Sequence, residues 1–204
     1  MTIHSSSPLA SHNPNSGKLF LVVGPSGSGK DSILNYAKDF FSSSGNVVFP
    51  LRCITRDATE GDEVHVTISD DEFEAKIKAG QFTFAWHAHG LKYGIPREIE
   101  YALAAGKNVV INVSRSVLAE ARNRFKNLTV ISISVNKAEL RKRLQLRGRE
   151  TQADIERRLQ RAEEFSVVGD DVIRIENSGS LALSCESFIH IISPNRSEID
   201  TLIA

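Results

Sequence analysis

Leu19-Phe20-Leu21-Val22-Val23-Gly24-Pro25-Ser26-Gly27-Ser28-Gly29-Lys30-Asp31-Ser32 is the stretch that decides the fold of this 204-residue chain. Five apolar residues in a row read as a parallel strand buried on both faces. The glycine-rich run after them has the spacing G-x-x-x-x-G-K. A helix is expected from Gly29 to Phe41, with Ile33, Leu34, Ala37, Phe40 and Phe41 on one side. Strand, turn and helix in that order curl backbone N–H groups around a β-phosphate, at a helix N-terminus whose dipole favours anions. The expected ATP-binding residues are therefore Gly24, Pro25, Ser26, Gly27, Ser28, Gly29, Lys30, Asp31 and Ser32, with Lys30 catalytic as the cation bridging the β- and γ-phosphates. Asp31 stands where the motif normally carries a Ser or Thr on Mg²⁺. A carboxylate is also a hard oxygen ligand, so Asp31 is the candidate metal residue; the alternative is that it only favours the first helical turn.

Outward from this loop, the chain alternates short apolar runs with helical stretches. Strands are expected at 82–90, 108–113, 128–135 and 171–177. Helices are expected from Ser69-Asp70 to Gly80, from Pro96 to Gly106, through the Arg-rich stretch 137–165, and from Ser180 to Ile192. Such alternation implies βαβ units: an α/β fold with a parallel sheet flanked by helices. Residues 50–95 break the rhythm and read as a small inserted lobe, so the expected domain spans 18–192 between a flexible tail at 1–17 and a C-terminal tail at 193–204.

Composition narrows the class. The chain is 41% hydrophobic, enough for a core, and its 25 basic and 25 acidic residues cancel, which argues against a nucleic-acid binder. No apolar run approaches the roughly 18 residues that span a bilayer, and no signal peptide is legible, so no membrane association and a cytoplasmic setting are expected. The lone cysteines Cys53 and Cys185 read as reduced core residues. Oligomeric state is not legible.

The segment 139–165 carries eight basic residues among six acids, the usual pattern of a solvated helical face, and Lys142 and Arg157 are read that way. Arg147-Gly148-Arg149-Glu150 differs. A glycine between two arginines, where one helix ends and another begins, reads as a lid at about 143–156 that carries guanidinium groups over polyphosphate. Arg147 and Arg149 are thus the remaining catalytic candidates.

The order GPSGSGKD, ITR (54–56), HGLKYG (89–94), RGRE and ERRL (156–159) resembles the guanylate kinases over roughly 18–192. The resemblance implies a phosphate-loop core, an acceptor-binding lobe, an arginine lid, and ATP with Mg²⁺. The departures are specific. Thr59 stands in place of a second acceptor arginine, His65 in place of a phosphate-gripping tyrosine, and Phe84 in place of the glutamate that reads guanine. Asn112 and Ser114 replace the acids of a strand motif. Phenylalanine accepts no hydrogen bond from a base, so GMP is expected to be a poor acceptor. Within the family, the strings GPSGSGKDS, ITRDA, AWHAHGLKYG, NVSR and RGRE are similar to the ribose 1,5-bisphosphate phosphokinases. That likeness implies a small phosphorylated sugar as acceptor, with 5-phosphoribosyl 1-diphosphate and ADP as products. Arg56, His65, His87, Tyr93, Asn112, Ser114, Arg115 and Arg158 are the expected acceptor-binding residues; His89 lies in the same lobe, and each histidine can equally be a satisfied polar residue. Two other readings remain: a guanylate or other nucleoside-monophosphate kinase, and a non-catalytic guanylate-kinase-like module that binds proteins.

Overall fold

The computed structural model describes residues 16–57, 64–148 and 150–193. In chain order the elements are β1 (Leu19–Val23), α1 (Lys30–Phe40), β2 (Val47–Val48), β3 (Cys53–Ile54), β4 (Val66–Thr67), α2 (Asp70–Lys78), β5 (Phe82–Ala88) and β6 (Leu91–Pro96). There follow α3 (Glu98–Ala104), β7 (Asn108–Asn112), a 3-10 turn (Arg115–Val117), α4 (Leu118–Arg124), β8 (Leu128–Ser134), α5 (Lys137–Arg147), α6 (Gln152–Glu163), β9 (Val172–Glu176) and α7 (Leu181–Ile192). One sheet has the order β2-β7-β1-β8-β9 and a second the order β4-β3-β6-β5. The larger sheet is the parallel α/β sheet that the alternation implied, its β8 and β9 pairing from Val130↔Val172 to Ser134↔Glu176.

The chain divides into two compact units, one drawn from Phe20–Val47 and Thr129–Ala204, the other from Met1–Leu19 and Val48–Leu128. The second is wider than the 50–95 lobe expected from sequence. The expected tails lie mostly outside the described residues, but Gly17 donates its N–H to the Leu103 carbonyl at 2.8 Å.

In the first unit, the loop unit, α1 buries Ile33, Leu34 and Ala37, the one-turn spacing that an amphipathic helix provides. The basic stretch is two helices, parted at Gly148 as the sequence implies. Gly148 closes α5 in the left-handed region (φ 60°), which costs a glycine nothing. Thr151 and Asp154 form a capping box that starts α6. Leu140 and Leu144 of α5 pack on Ile155 and Leu159 of α6, and Arg141 pairs with Glu156 across the two helices. Arg157 pairs with Asp154 inside α6.

The second unit, the hairpin unit, holds the four-stranded sheet. Sequence alone missed β6. The turn His89-Gly90 has φ of 54° and 77°, and two consecutive left-handed residues make the tight turn whose twist suits a hairpin. Trp86 then faces Tyr93, and His87 faces Lys92. Pro96 therefore ends a strand, and α3 begins only at Glu98. A register shift between Phe82 and Phe84 turns Phe82 to the side of the sheet that α2 covers. There its ring lies over Gly94, where a Cβ would stand 2.4 Å from it. Cys53, Ile68 and Phe73 form the centre of that layer. Phe73→Ala is expected to lower unfolding free energy by about 3–5 kcal/mol in a urea titration. A loss below about 1 kcal/mol would mean that α2 is not anchored through this ring.

Candidate active site

The donor half is built in the loop unit. β1 ends at Val23 and the chain turns back on itself, with Ser28 N–H bonded to the Pro25 carbonyl at 3.2 Å. Gly27 and Gly29 have φ of 90° and 88°, a region that side chains disfavour. At Gly29 a Cβ would also stand 2.3 Å from Asn177 Nδ2, so close packing and backbone angle both require glycine. Lys30, the first residue of α1, reaches back along the loop and donates Nζ to the carbonyls of Gly24 (2.8 Å) and Pro25 (2.9 Å). Its charge therefore lies on the loop itself. Ser28 Oγ is buried and has no partner among the described residues, so the hollow is lined with unspent polarity, as an anion cradle requires.

Two residues that sequence reading passed over hold this loop. Asn177, at the end of β9 and 1% exposed, donates Nδ2 to the Ser28 carbonyl at 2.8 Å. Arg143 donates Nη2 to the Asn177 carbonyl at 2.7 Å and Nη1, at a long 3.5 Å, to the Ser28 carbonyl. Glu139, one turn earlier, fixes the same guanidinium at 2.8 Å. A signal for Asn177 existed, since a polar residue at a strand's carboxyl end is where α/β sheets bind ligands. No signal separated Arg143 from its basic neighbours on α5.

Arg158, expected at the acceptor, stands instead on the phosphate loop. It donates Nη1 to Ser26 Oγ at 3.0 Å, and its Nη2 lies 2.9 Å from Glu150, whose side chain is 12% exposed. Arg147 ends α5 four residues beyond Arg143, and Arg149 lies outside the described residues. Asp31 is exposed in the first turn of α1, next to Lys30. Among the described residues no three His, Cys, Asp or Glu side chains converge as a metal site. A single exposed carboxylate fits Mg²⁺, which keeps its waters and takes one or two carboxylates besides substrate phosphates.

The acceptor candidates lie in the hairpin unit, and the sheet sorts them. Ile54 pairs with Tyr93 and with Thr67, and Tyr93 with Trp86. Paired residues share a face, so these four stand on the side away from α2. His65 is buried on that side, two residues before Thr67. Its Nε2 lies 3.3 Å from the Arg56 carbonyl, which also accepts from Thr67 Oγ1 at 3.0 Å. Both bonds draw the bend at Arg56 over this face while the Arg56 side chain stays exposed. His65 thus positions Arg56 through its backbone. His87 does not join them: opposite Lys92, it belongs to the α2 face, with its ring 6.4 Å from Phe73. Asp70 and Glu74 hold the Lys92 ammonium there at 2.8 Å each, and these contacts raise its pKa. His89 serves the hairpin turn. Asn112 closes β7, Ser114 caps the 3-10 turn by accepting from Ser116 N–H at 3.3 Å, and Arg115 is exposed beside it.

The family model for guanylate kinase matches residues 16–178. The chain belongs to the guanylate kinase family. It is 44% identical to the ribose 1,5-bisphosphate phosphokinase PhnN of Thiobacillus denitrificans over 87% of this chain and 93% of that one. It is 42% identical to the protein of the same name from Rhizobium etli over 90% and 93%. Among solved structures, guanylate kinase from Anaplasma phagocytophilum aligns with TM-score 0.63 at 19% identity, over 90% of this chain and 86% of that one, which shows the shared fold. The resemblance to guanylate kinases places their guanine-reading glutamate at position 84. Phe84 stands there, 1% exposed, its ring 5.6 Å from Phe125 and with the Arg124 guanidinium 5.4 Å above it. That position is core. Thr59, in place of the second acceptor arginine, lies outside the described residues.

Proposed function

We propose that this kinase moves the γ-phosphoryl group of ATP onto the 1-phosphate of ribose 1,5-bisphosphate, giving ADP and 5-phosphoribosyl 1-diphosphate. The observation that carries the reading is Phe84, a core aromatic where a guanine acceptor needs a carboxylate. Relatives of that activity, alike over nearly their whole length, support it.

An oxygen of the acceptor 1-phosphate attacks the γ-phosphorus, the bond from γ-phosphorus to the β,γ-bridging oxygen breaks, and ADP leaves. The attacking group is already an anion near neutral pH, so no general base is required, and the protein supplies position and charge. In this reading the loop 24–30 holds the β-phosphate by backbone N–H groups, and Lys30 bridges to the γ-phosphate. Arg158, on Ser26, stabilises the equatorial oxygens in flight, and Arg147 and Arg149 close over them as the lid. Asp31 helps hold Mg²⁺, which when bound neutralises charge on the β- and γ-phosphates. Arg56, Tyr93 and Arg115 receive the acceptor, with Asn112 and Ser114 beside Arg115. Arg143 and Asn177 keep the loop in shape. The two cysteines, both buried and unpaired, accord with a reducing, cytoplasmic setting. No helix among the described residues is long and apolar enough to cross a membrane.

The test is ADP release from saturating ATP with three acceptors: ribose 1,5-bisphosphate, GMP and AMP. The bisphosphorylated pentose is expected to exceed either nucleotide by roughly 10³-fold in kcat/KM, because a site lacking the base-reading carboxylate gains nothing from a base. Equal or better use of GMP would return the chain to guanylate kinase activity. ATP binding with no acceptor used at all would favour the protein-binding module.

A further inference from the structure

The face that carries Tyr93 also carries a cation that the motifs pass over. Arg52 lies two residues before Ile54, so strand alternation sets it on the side of Ile54 and Tyr93, away from α2. Its guanidinium carbon stands 5.6 Å from the centre of the Tyr93 ring. Tyr93 is itself stacked on Trp86, with ring centres 5.2 Å apart and planes 5° from parallel. Trp86 is 7% exposed, which roots the aromatic pair in the core, while Arg52 is half-buried. A guanidinium over an aromatic ring can still present its edge N–H groups to two oxygens of a phosphate.

We infer that Arg52 holds the acceptor's non-reacting phosphate, at the far end of the sugar from the bond that forms. The inference rests on the ribose 1,5-bisphosphate reading above. Arg52 stands just before β3 with its guanidinium over the Tyr93 ring, whereas Arg56 sits on the bend after β3, held through its carbonyl by His65 and Thr67. A cation seated over a ring suits a group whose charge is unchanged through the reaction. The exposed Arg56 suits the phosphate that must advance on the donor. Binding energy from an unchanging group is the same in ground and transition states, so its loss shows in KM and spares kcat.

Arg52→Leu and Arg52→Lys test this at saturating ATP. Arg52→Leu is expected to raise the KM for ribose 1,5-bisphosphate about 50-fold, with kcat within about threefold and the KM for ATP unchanged. Competitive inhibition by ribose 5-phosphate should weaken in parallel, while inhibition by ribose 1-phosphate should hold. Arg52→Lys, which keeps the charge but loses the fork, should fall between. If Arg52→Leu leaves the acceptor KM unchanged, or weakens both monophosphates alike, the inference is wrong and the proposed reaction stands. If the unaltered enzyme never phosphorylates ribose 1,5-bisphosphate, inference and reaction fall together. Should circular dichroism show Arg52→Leu unfolded, Arg52→Lys decides alone, and an unaltered acceptor KM there overturns the role.

Discussion

Lys30→Met is expected to lower kcat/KM for ATP by about 10³-fold, the scale set by removing a preorganised charge from a developing polyphosphate transition state. The ammonium lies on the loop rather than in solvent, 2.8 and 2.9 Å from two loop carbonyls, so methionine removes the charge without leaving a hole of different size. The two hydrogen bonds contribute about 1 kcal/mol each to stability, so the variant should melt within several degrees of the parent. ADP release and a thermal melt on the same preparation check both statements. Turnover near the parent's would remove Lys30 from the chemistry, whatever the loop looks like.

Arg158→Ala is expected to cost about 10²–10³-fold in kcat, somewhat below the range seen for arginines that stabilise phosphoryl transfer, since in the proposed reaction Arg147 and Arg149 share the role. The same change strips Glu150 of its partner, and the carboxylate is 12% exposed, so a loss of stability accompanies the loss of rate. Glu150→Gln separates the two effects. It breaks the same ion pair yet leaves the guanidinium on Ser26 Oγ, so it should reproduce the fall in melting temperature while keeping most of kcat. If Arg158→Ala and Glu150→Gln lose rate equally, Arg158 acts on lid structure and not on the phosphoryl group. If Arg158→Ala changes only the acceptor KM, the residue belongs to the acceptor after all.

Both variants start from residues that the sequence already singled out, and for one of them the structure adds a contact that the sequence does not show. Arg158 belongs to the ERRL string, and its place there says nothing of what its side chain meets. Packing of Leu140 and Leu144 on Ile155 and Leu159 rotates α6 so that this arginine reaches Ser26. The face of His87 was hidden for a related reason. Without the second strand of the hairpin there is no register, and without register the two faces of β5 cannot be told apart. Once Trp86 is opposite Tyr93 and His87 opposite Lys92, alternation alone sends the histidine to the α2 side.

The sequence by itself determined the donor loop, because everything in it is local. An apolar strand, glycines at the turn, a lysine and a helix start are contiguous from Leu19 to Phe40, and the backbone angles at Gly27 and Gly29 are properties of single residues. It also determined the helix boundaries wherever a cap is encoded, as at Ser69 with Glu72 and at Gly148. Tertiary structure decided what depends on distant partners. Asn177 meets Ser28 across 149 positions of chain, Arg52 meets Tyr93 across a sheet, and Phe84 becomes core through Phe125. Such contacts are fixed by strand register and helix packing, which no short window of sequence contains.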